Sequence, residues 1–459
     1  MPRPTQAIVL AAGAGTKIWP FGELRQKCTI PVANEPAVRR VVTELQALGV
    51  SRTAVVVGHF EAQVRHALAD LEGICFVRQP QPTGTADGVL LGWSALDDAD
   101  VLVAYGDTVF GGQELASMAD GLADGVAAAA LIAPLGAEQP NDWIIAHADG
   151  ESLREVVGHD RGGTHRLGGL FALTRQARAY LERNPGIFRN VPVGGMPPVE
   201  ADLGQSLQMM MEDGLPVRAC ETRGLFVDLD RPWHIEQANV QYLEYLASQS
   251  DGNVVGEGSR VSDGAEISGR LHLGRDCVIG NRVVIRGSLF LGDGSRVENG
   301  AIIDGHFSAG RGCRIRDYCA IGGGSAIGDR AVVAHGAELS GVLFDRVYLY
   351  HYCEMAGVYG SAVDIGAATV CGTLRFDDRT QVHHVRGRAE VPAWGGNGSY
   401  MGDYSRTGVN AMLMPGCKVG CYSCVGPGVI AYEDVPSRTV VLAKQELTTR
   451  PWGPEKYGW

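Results

Sequence analysis

The period of the apolar positions divides this chain in two. In the second half an apolar residue recurs at every sixth position: Val255, Val261, Ile267, Leu273, Ile279, Ile285, Leu291, Val297, Ile303, Ala309, Ile315, Ile321, Ile327, Val333 and Leu339. Glycine follows many of them, as in Leu273-Gly274, Ile279-Gly280 and Ile321-Gly322. Neither the helix period nor the alternation of a half-buried strand gives a six-residue repeat. A prism with three short strands per turn does, because each side sends one aliphatic side chain inward and glycine eases the corner. The pattern predicts a left-handed parallel β-helix of hexapeptide repeats over residues 250–435, followed by a tail at 436–459. The register fails near Asp345 and returns at Ile365-Gly366, Val419-Gly420 and Val425-Gly426. Between these lies an irregular stretch, 375–403, read as a loop inserted into the prism. It contains His383 and His384; adjacent histidines in a loop point apart and no acid partner is evident, so both are read as solvated.

The first half, 1–249, has a different rhythm. Continuous apolar runs (Ala7 to Ala12, Thr53 to Gly58, Asp100 to Asp107) alternate with stretches at helical spacing (Pro36 to Val50, Glu61 to Leu71). Strands alternating with helices predict a Rossmann-like α/β domain with a mostly parallel sheet covered on both faces. In such sheets ligands bind beyond the carboxyl ends of the strands. Gly13, Gly15 and Asp107 sit at such ends. A last helix, Trp233 to Gln249, leads into the prism.

Composition narrows the function classes. The 459 residues carry 40 Lys plus Arg against 52 Asp plus Glu, a formal charge of −12. With no basic run, the chain lacks the clustered cations that neutralise a nucleic-acid backbone. No stretch of 18 apolar residues suggests a membrane span, and the N-terminus runs straight into a strand-loop pattern, so a cytoplasmic protein is expected. The 11 cysteines are scattered without metal-finger spacing and read as reduced, mostly buried thiols.

The chemistry gathers in the loop from Leu10 to Val32. Its glycines allow close approach of a ligand to the backbone, and successive N–H groups there form an anion-binding nest. Lys17 and Lys27 add two cations. The loop is neither a P-loop, since no Gly-Lys-Ser/Thr follows, nor a GxGxxG turn, since the third glycine is missing. Taken alone, Asp107 reads as a cap for the next helix, Lys27 as a solvated charge, and Glu200 as an acid favouring a helix N-terminus.

Four segments in order change that reading. Leu10-Ala11-Ala12-Gly13-Ala14-Gly15-Thr16-Lys17, with Lys27, Pro31-Val32 and Pro36, resembles the signature loop of sugar-1-phosphate nucleotidyltransferases. Gln79 followed by Gly84-Thr85-Ala86 resembles their base-recognition segment. Tyr105-Gly106-Asp107 resembles their metal-binding strand end, and Val227 to Trp233 (VDLDRPW) the segment with the second metal-binding acid. The two-part organisation resembles the bifunctional bacterial and archaeal proteins that pair uridylyltransfer with acetyltransfer on a β-helix, the archaeal type most of all.

The resemblance implies that the phosphate of a sugar 1-phosphate attacks the α-phosphorus of an NTP and pyrophosphate leaves, without a protein nucleophile. Lys17, Lys27, Asp107 and Asp228 are then the catalytic set, with Asp107 and Asp228 holding Mg²⁺. Leu10, Ala12, Gly13, Gly15, Thr16, Lys17, Gln79, Gly84 and Thr85 bind the nucleotide (UTP, dTTP or GTP); Gly169 and Glu200 face the sugar. Three departures concern this pocket. Lys17 stands where the family has Arg, Asp142-Trp143 where it has Tyr-Gly, and Val157-Gly158-His159 where it has Glu-Lys-Pro, so an unusual sugar or cyclitol phosphate is a live expectation.

In the second half, His351 within Tyr350-His351-Tyr352 matches the acetyltransferase histidine of the bifunctional family. Its companions do not match: Glu354, Thr373 and Arg379 stand where Tyr, Asn and Lys are expected. Acetyl-CoA is therefore a cofactor only if the β-helix is active. The alternatives to nucleotidyl transfer are a non-catalytic nucleotide-sugar-binding scaffold and a CoA-dependent acyltransferase. A prism of this kind is expected to assemble the chain into a trimer or a higher homo-oligomer, with no nucleic-acid or membrane partner.

Overall fold

The computed structural model describes residues 3–122, 125–158, 160, 162–191 and 199–456. The first half is built on nine strands: β1 (Gln6–Ala11), β2 (Arg52–Val57), β3 (Ile74–Arg78), β4 (Val101–Tyr105), β5 (Ala128–Pro134), β6 (Ile144–Asp149), β7 (Ser152–Gly158), β8 (His165–Leu173) and β9 (Val217–Glu221). They lie in the order β3-β2-β1-β4-β8-β5-β9-β7-β6. The unbroken apolar runs have their cause in cover on both faces. Helices α1 (Ala37–Ala47), α2 (Glu61–Ala67) and α4 (Gly112–Ala119) bury Val38, Val42, Leu45, Val64, Leu115 and Met118 on one face. Helices α3 (Thr85–Trp93), α5 (Arg178–Glu182) and α6 (Leu203–Glu212) bury Val89, Trp93, Leu181, Leu207 and Met210 on the other.

The expected parallel pairing holds from β3 through β2 and β1 to β4 and between β5 and β9. Beyond β4 the sheet is mixed: β8 runs antiparallel to β4 and β5, and β6 with β7 forms a hairpin turning at Gly150 (φ 57°). The links there are too short for the crossover helix that a parallel pair needs. The chain leaves β1 toward β2 and β3, then returns to β4 on the other side. That reversal opens a crevice at the carboxyl ends of β1 and β4.

The second half is a three-sided left-handed β-helix of short parallel strands. Its interior is the column of sixth-position residues, from Leu273 to Leu339, with Cys277, Cys313, Cys319, Cys353, Cys371 and Cys417 packed among them. All eleven thiols are free and nine are buried. The first two members of the series, Val255 and Val261, are exposed, because no earlier coil covers the open end.

The register break near Asp345 is a change of coil length rather than an end of the prism. Earlier coils repeat after 18 residues, as where Cys277 donates to Ser259. Around Glu338 the repeat is 16, as in Gly341 to Ser325, and it returns to 18 after the insertion, as in Arg406 to Cys424. There two sides run into one strand, Glu338–Leu343, which shortens the corner. The insertion itself ends earlier than expected. Ser399–Met401 is already a prism strand, and the offset across the insertion is 42 residues, as between Ser361 and Asp403. The tail also starts later, since Val440–Val441 pairs with Cys424–Val425.

The halves share an apolar core. Helix α7 (Pro232–Ser248) begins with Pro at its first turn, where no N–H is missed, and packs on the prism. Trp233, Ile235, Tyr242 and Leu243 join Val342, Phe344, Val358, Val385 and Tyr400 in one cluster. Arg25 reaches Asp403 at 3.0 Å, and Glu23 pairs with Arg438 at 3.0 Å.

Candidate functional site

A cleft of about 480 Å³ opens at the carboxyl ends of β1 and β4. Leu10 is the next-to-last residue of β1, and Ala12 and Gly13 follow the strand at the rim. Gly13 is open on its Cβ side, with nothing within 4 Å, so a ligand can meet its backbone. Gly15 (φ 59°) and Thr16 do not line the cleft. Gly15 instead gives Lys27 room: a Cβ there would stand 2.9 Å from the lysine's own Cβ. Gln79, buried after β3, donates from Nε2 to the Gly84 carbonyl at 3.1 Å and to Thr83 at 3.3 Å. Gly84 (φ 120°) starts α3 against Ala201, whose backbone leaves no space for a side chain. Thr85 accepts from the Leu203 N–H at 2.8 Å, tying α3 to α6.

The charged residues meet in the floor. Lys27 pairs with Asp107 at 2.5 Å and with Asp230 at 3.2 Å; Lys17, more exposed, reaches Asp230 at 3.3 Å. Asp107 lies in the turn after β4 and caps no helix. Asp228 faces the same cleft; its nearest cation is Arg166, at 3.8 Å. The segment 226–230 is extended, so Val227 and Leu229 bury while Asp228 and Asp230 point the other way.

The electrostatics follow from this crowding. Burial pulls the Lys27 ammonium down, but Asp107, Asp230 and Asp228 outweigh it and hold it well above its ordinary value. Burial raises the Asp228 carboxyl, and repulsion from Asp107 and Asp230 adds to the rise against the opposing pull of Lys27. Burial would also raise Asp230, yet Lys27, Lys17 and Arg231 bring it far below the carboxylate range. Burial drives the neighbouring His234 down to about 3, so it stays neutral.

The cleft is lined further by Asp142, Trp143, Leu167, Gly169, Glu200 and Asp202, the last two flanking Ala201, on which Gly84 packs. Gly169 (φ 66°) lies against the Tyr105 ring, 2.8 Å from where a Cβ would be. Glu200 is not the helix cap: Asp202 caps α6, accepting from the Gly204 N–H at 2.7 Å. Burial raises Asp202 to about 6. Asp142 and Trp143 do line the cleft, while His159 lies outside the described residues.

Lys17, Lys27, Asp107, Asp228, Leu10, Ala12, Gly13, Gln79, Gly84, Thr85, Gly169 and Glu200 thus share one cavity. Sequence reasoning left Asp230 without a role, although its alternation with Asp228 places both on one side of a strand. It also missed Arg231, whose guanidinium bonds Asp230 and forks onto Glu390 of the prism insertion at 2.5 and 2.9 Å. No local signal announces that contact, which spans 159 residues.

The reading of His383 as solvated is overturned. It is buried, its Nε2 lies 2.7 Å from the Gly396 carbonyl, and its ring stands 4.5 Å from that of Trp233. His384 is exposed. His351 sits on an exposed corner of the prism with its Nδ1 2.9 Å from that of His335, and it does not line the cleft.

Residues 7–176 match the family of MobA-like NTP transferase domains. The first half carries an NTP transferase domain. Along nearly its whole length the chain is similar to the "Bifunctional protein GlmU" of Methanococcus maripaludis strain S2, 26% identical over 96% of this chain and 98% of that protein. The protein of that name from strain C7 is 29% identical over the same shares. The "Bifunctional sugar-1-phosphate nucleotidylyltransferase/acetyltransferase" of Sulfurisphaera tokodaii is 24% identical over 94% and 98%. No helix among the described residues is long and apolar enough to cross a membrane.

Proposed function

We propose that the chain is a sugar-1-phosphate nucleotidyltransferase, joining a sugar or cyclitol phosphate to an NTP with release of pyrophosphate. One observation carries this reading: Lys27, Asp107, Asp228 and Asp230 meet in the floor of a cleft that the Gly-rich loop, Gln79, Gly169 and Glu200 also line. In-line transfer needs no protein nucleophile; it needs two anionic reactants held close and their charge offset. Lys27 and Lys17, parked on Asp230, are placed to turn toward incoming phosphates. The Gly13 backbone and Gln79 frame the base, and UTP, dTTP and GTP all remain within reach of that frame.

Asp107 and Asp228 suit Mg²⁺. The Asp228 carboxyl has only a long contact to a cation and is pushed up beside two other acids, an imbalance that a divalent ion between it and Asp107 would remove. Among the described residues no group of three ligating side chains is placed to hold a metal by itself, so the triphosphate and water would complete the shell, as this hard ion tolerates. When bound, the ion supplies charge neutralisation for the leaving pyrophosphate. The prism is proposed to assemble a trimer or a multiple of it in the cytoplasm. Acetyl transfer from acetyl-CoA at His351 is the second reading, favoured by the names of the full-length relatives and by the exposed His351–His335 pair.

The test is pyrophosphate release from UTP, dTTP and GTP with a panel of sugar and cyclitol 1-phosphates, with acetyl-CoA consumption followed in parallel. Turnover that needs Mg²⁺ and falls at least about 100-fold in Asp107→Asn is expected. Absence of turnover with every pair, or an Asp107→Asn variant as fast as wild type, rejects the reading.

A further inference from the structure

Beside the cleft lies a second cavity of about 280 Å³. It shares Asp142, Trp143 and Asp228 with the cleft and none of the Gly-rich loop, Gln79 or Gly84. It therefore adjoins the cleft on the side of Asp142, Trp143 and Asp228. One wall comes from the transferase domain: Trp143 with the Arg166 guanidinium 3.7 Å from its ring, and Glu138 on Arg166 at 3.0 Å. The other comes from the prism insertion, as Glu390, Val391, Pro392, Ala393 and Trp394.

The insertion is fastened for this purpose. Its hairpin (His383–Val385 with Arg388–Glu390) is pinned by His383 against Trp233, by the buried Glu390–Arg231 fork, and by Arg388 on Asp142 at 2.6 Å. The arginines and acids of the wall are already paired, so they present fixed donors and acceptors rather than free charges. Three indole rings, Trp143, Trp233 and Trp394, with fixed polar groups around a concave site suit a hydroxylated ring, whose C–H face packs on aromatic carbon while its hydroxyls meet the polar rim.

We infer that this cavity is an acceptor-selecting subsite shared by both halves: Trp394 and Trp143 bind the hydroxylated part of the sugar or cyclitol phosphate distal to its phosphate. The inference rests on the transferase reading and deepens it. It makes the inserted segment of the β-helix a determinant of substrate choice in the first domain.

Two measurements on the full chain keep the two readings apart. In the first, steady-state kinetics of Trp394→Ala with the best NTP–acceptor pair should show an acceptor KM raised about 10-fold and an NTP KM within about twofold of wild type. In the second, intrinsic tryptophan fluorescence is titrated with glucose 1-phosphate, N-acetylglucosamine 1-phosphate and myo-inositol 1-phosphate, and at least one should cause a change that Trp394→Ala weakens. Trp394 is half-exposed on a loop, and Trp394→Phe should restore most of the acceptor KM. If wild type turns nothing over yet shows a Trp394-dependent titration, the subsite stands and the transferase reading falls. If wild type turns over but Trp394→Ala matches it in both measurements, the subsite is rejected. No turnover together with no Trp394-dependent titration rejects both.

Discussion

At the scale of single residues, the site depends on positions where only one side-chain type fits. Gly84 is the clearest. Its φ of 120° is open to glycine, and a Cβ would lie 2.4 Å from the Ala201 N and O. Gly84→Ala must move α3 or Ala201, at a cost of about 1–3 kcal/mol for the backbone alone. A lowered urea midpoint and an NTP KM raised several-fold are expected, while a variant with both unchanged would show that Gly84 is a replaceable loop residue. Residues of this kind were legible in the sequence because their constraint is local: a glycine at a turn, a lysine in a glycine-rich loop, an acid at a strand end. Asp230 was harder, because what it holds, Lys17 and Lys27, lies more than 200 residues away.

At the scale of elements, the prism was legible where one inward residue per side repeats, and illegible where a corner changes length. The merged strand Glu338–Leu343 drops two residues from the coil, so a strict six-residue count loses the prism although its core continues through Leu349 and Ile365. The hairpin of the insertion was hidden for another reason. Its role rests on tertiary pairs, Glu390 with Arg231 above all, both side chains being nearly buried. Removing Glu390 leaves the buried Arg231 guanidinium with Asp230 alone and takes away two of its hydrogen bonds. Glu390→Ala should therefore destabilise the chain by about 3–5 kcal/mol, whereas Arg231→Met with Glu390→Leu should recover most of that loss. Denaturant midpoints of the three proteins decide it: a single variant no weaker than the double would mean that Asp230 alone satisfies Arg231.

At the scale of the whole molecule, the two halves are joined by one apolar core rather than by a linker, and that junction holds a titratable group. Glu236, on α7, is partly buried against the prism and accepts a hydrogen bond from the Tyr400 hydroxyl at 3.3 Å. Burial raises its carboxyl to about 7, with the Tyr400 bond opposing only in part. The folded protein thus holds this proton over a range in which the unfolded chain, at an ordinary value of 4.5, has released it. Stability from this group is full below about pH 4.5 and is lost as pH rises through about 7. Above that range a carboxylate must sit between helix and prism. Glu236→Gln keeps the shape and the acceptor oxygen without the charge. The variant should match wild type near pH 5 and melt at a higher temperature near pH 8, so the difference in Tm should grow from pH 5 to pH 8. A difference that is flat across this range, or one that shrinks, would mean that water reaches Glu236 and the junction is looser than its packing indicates.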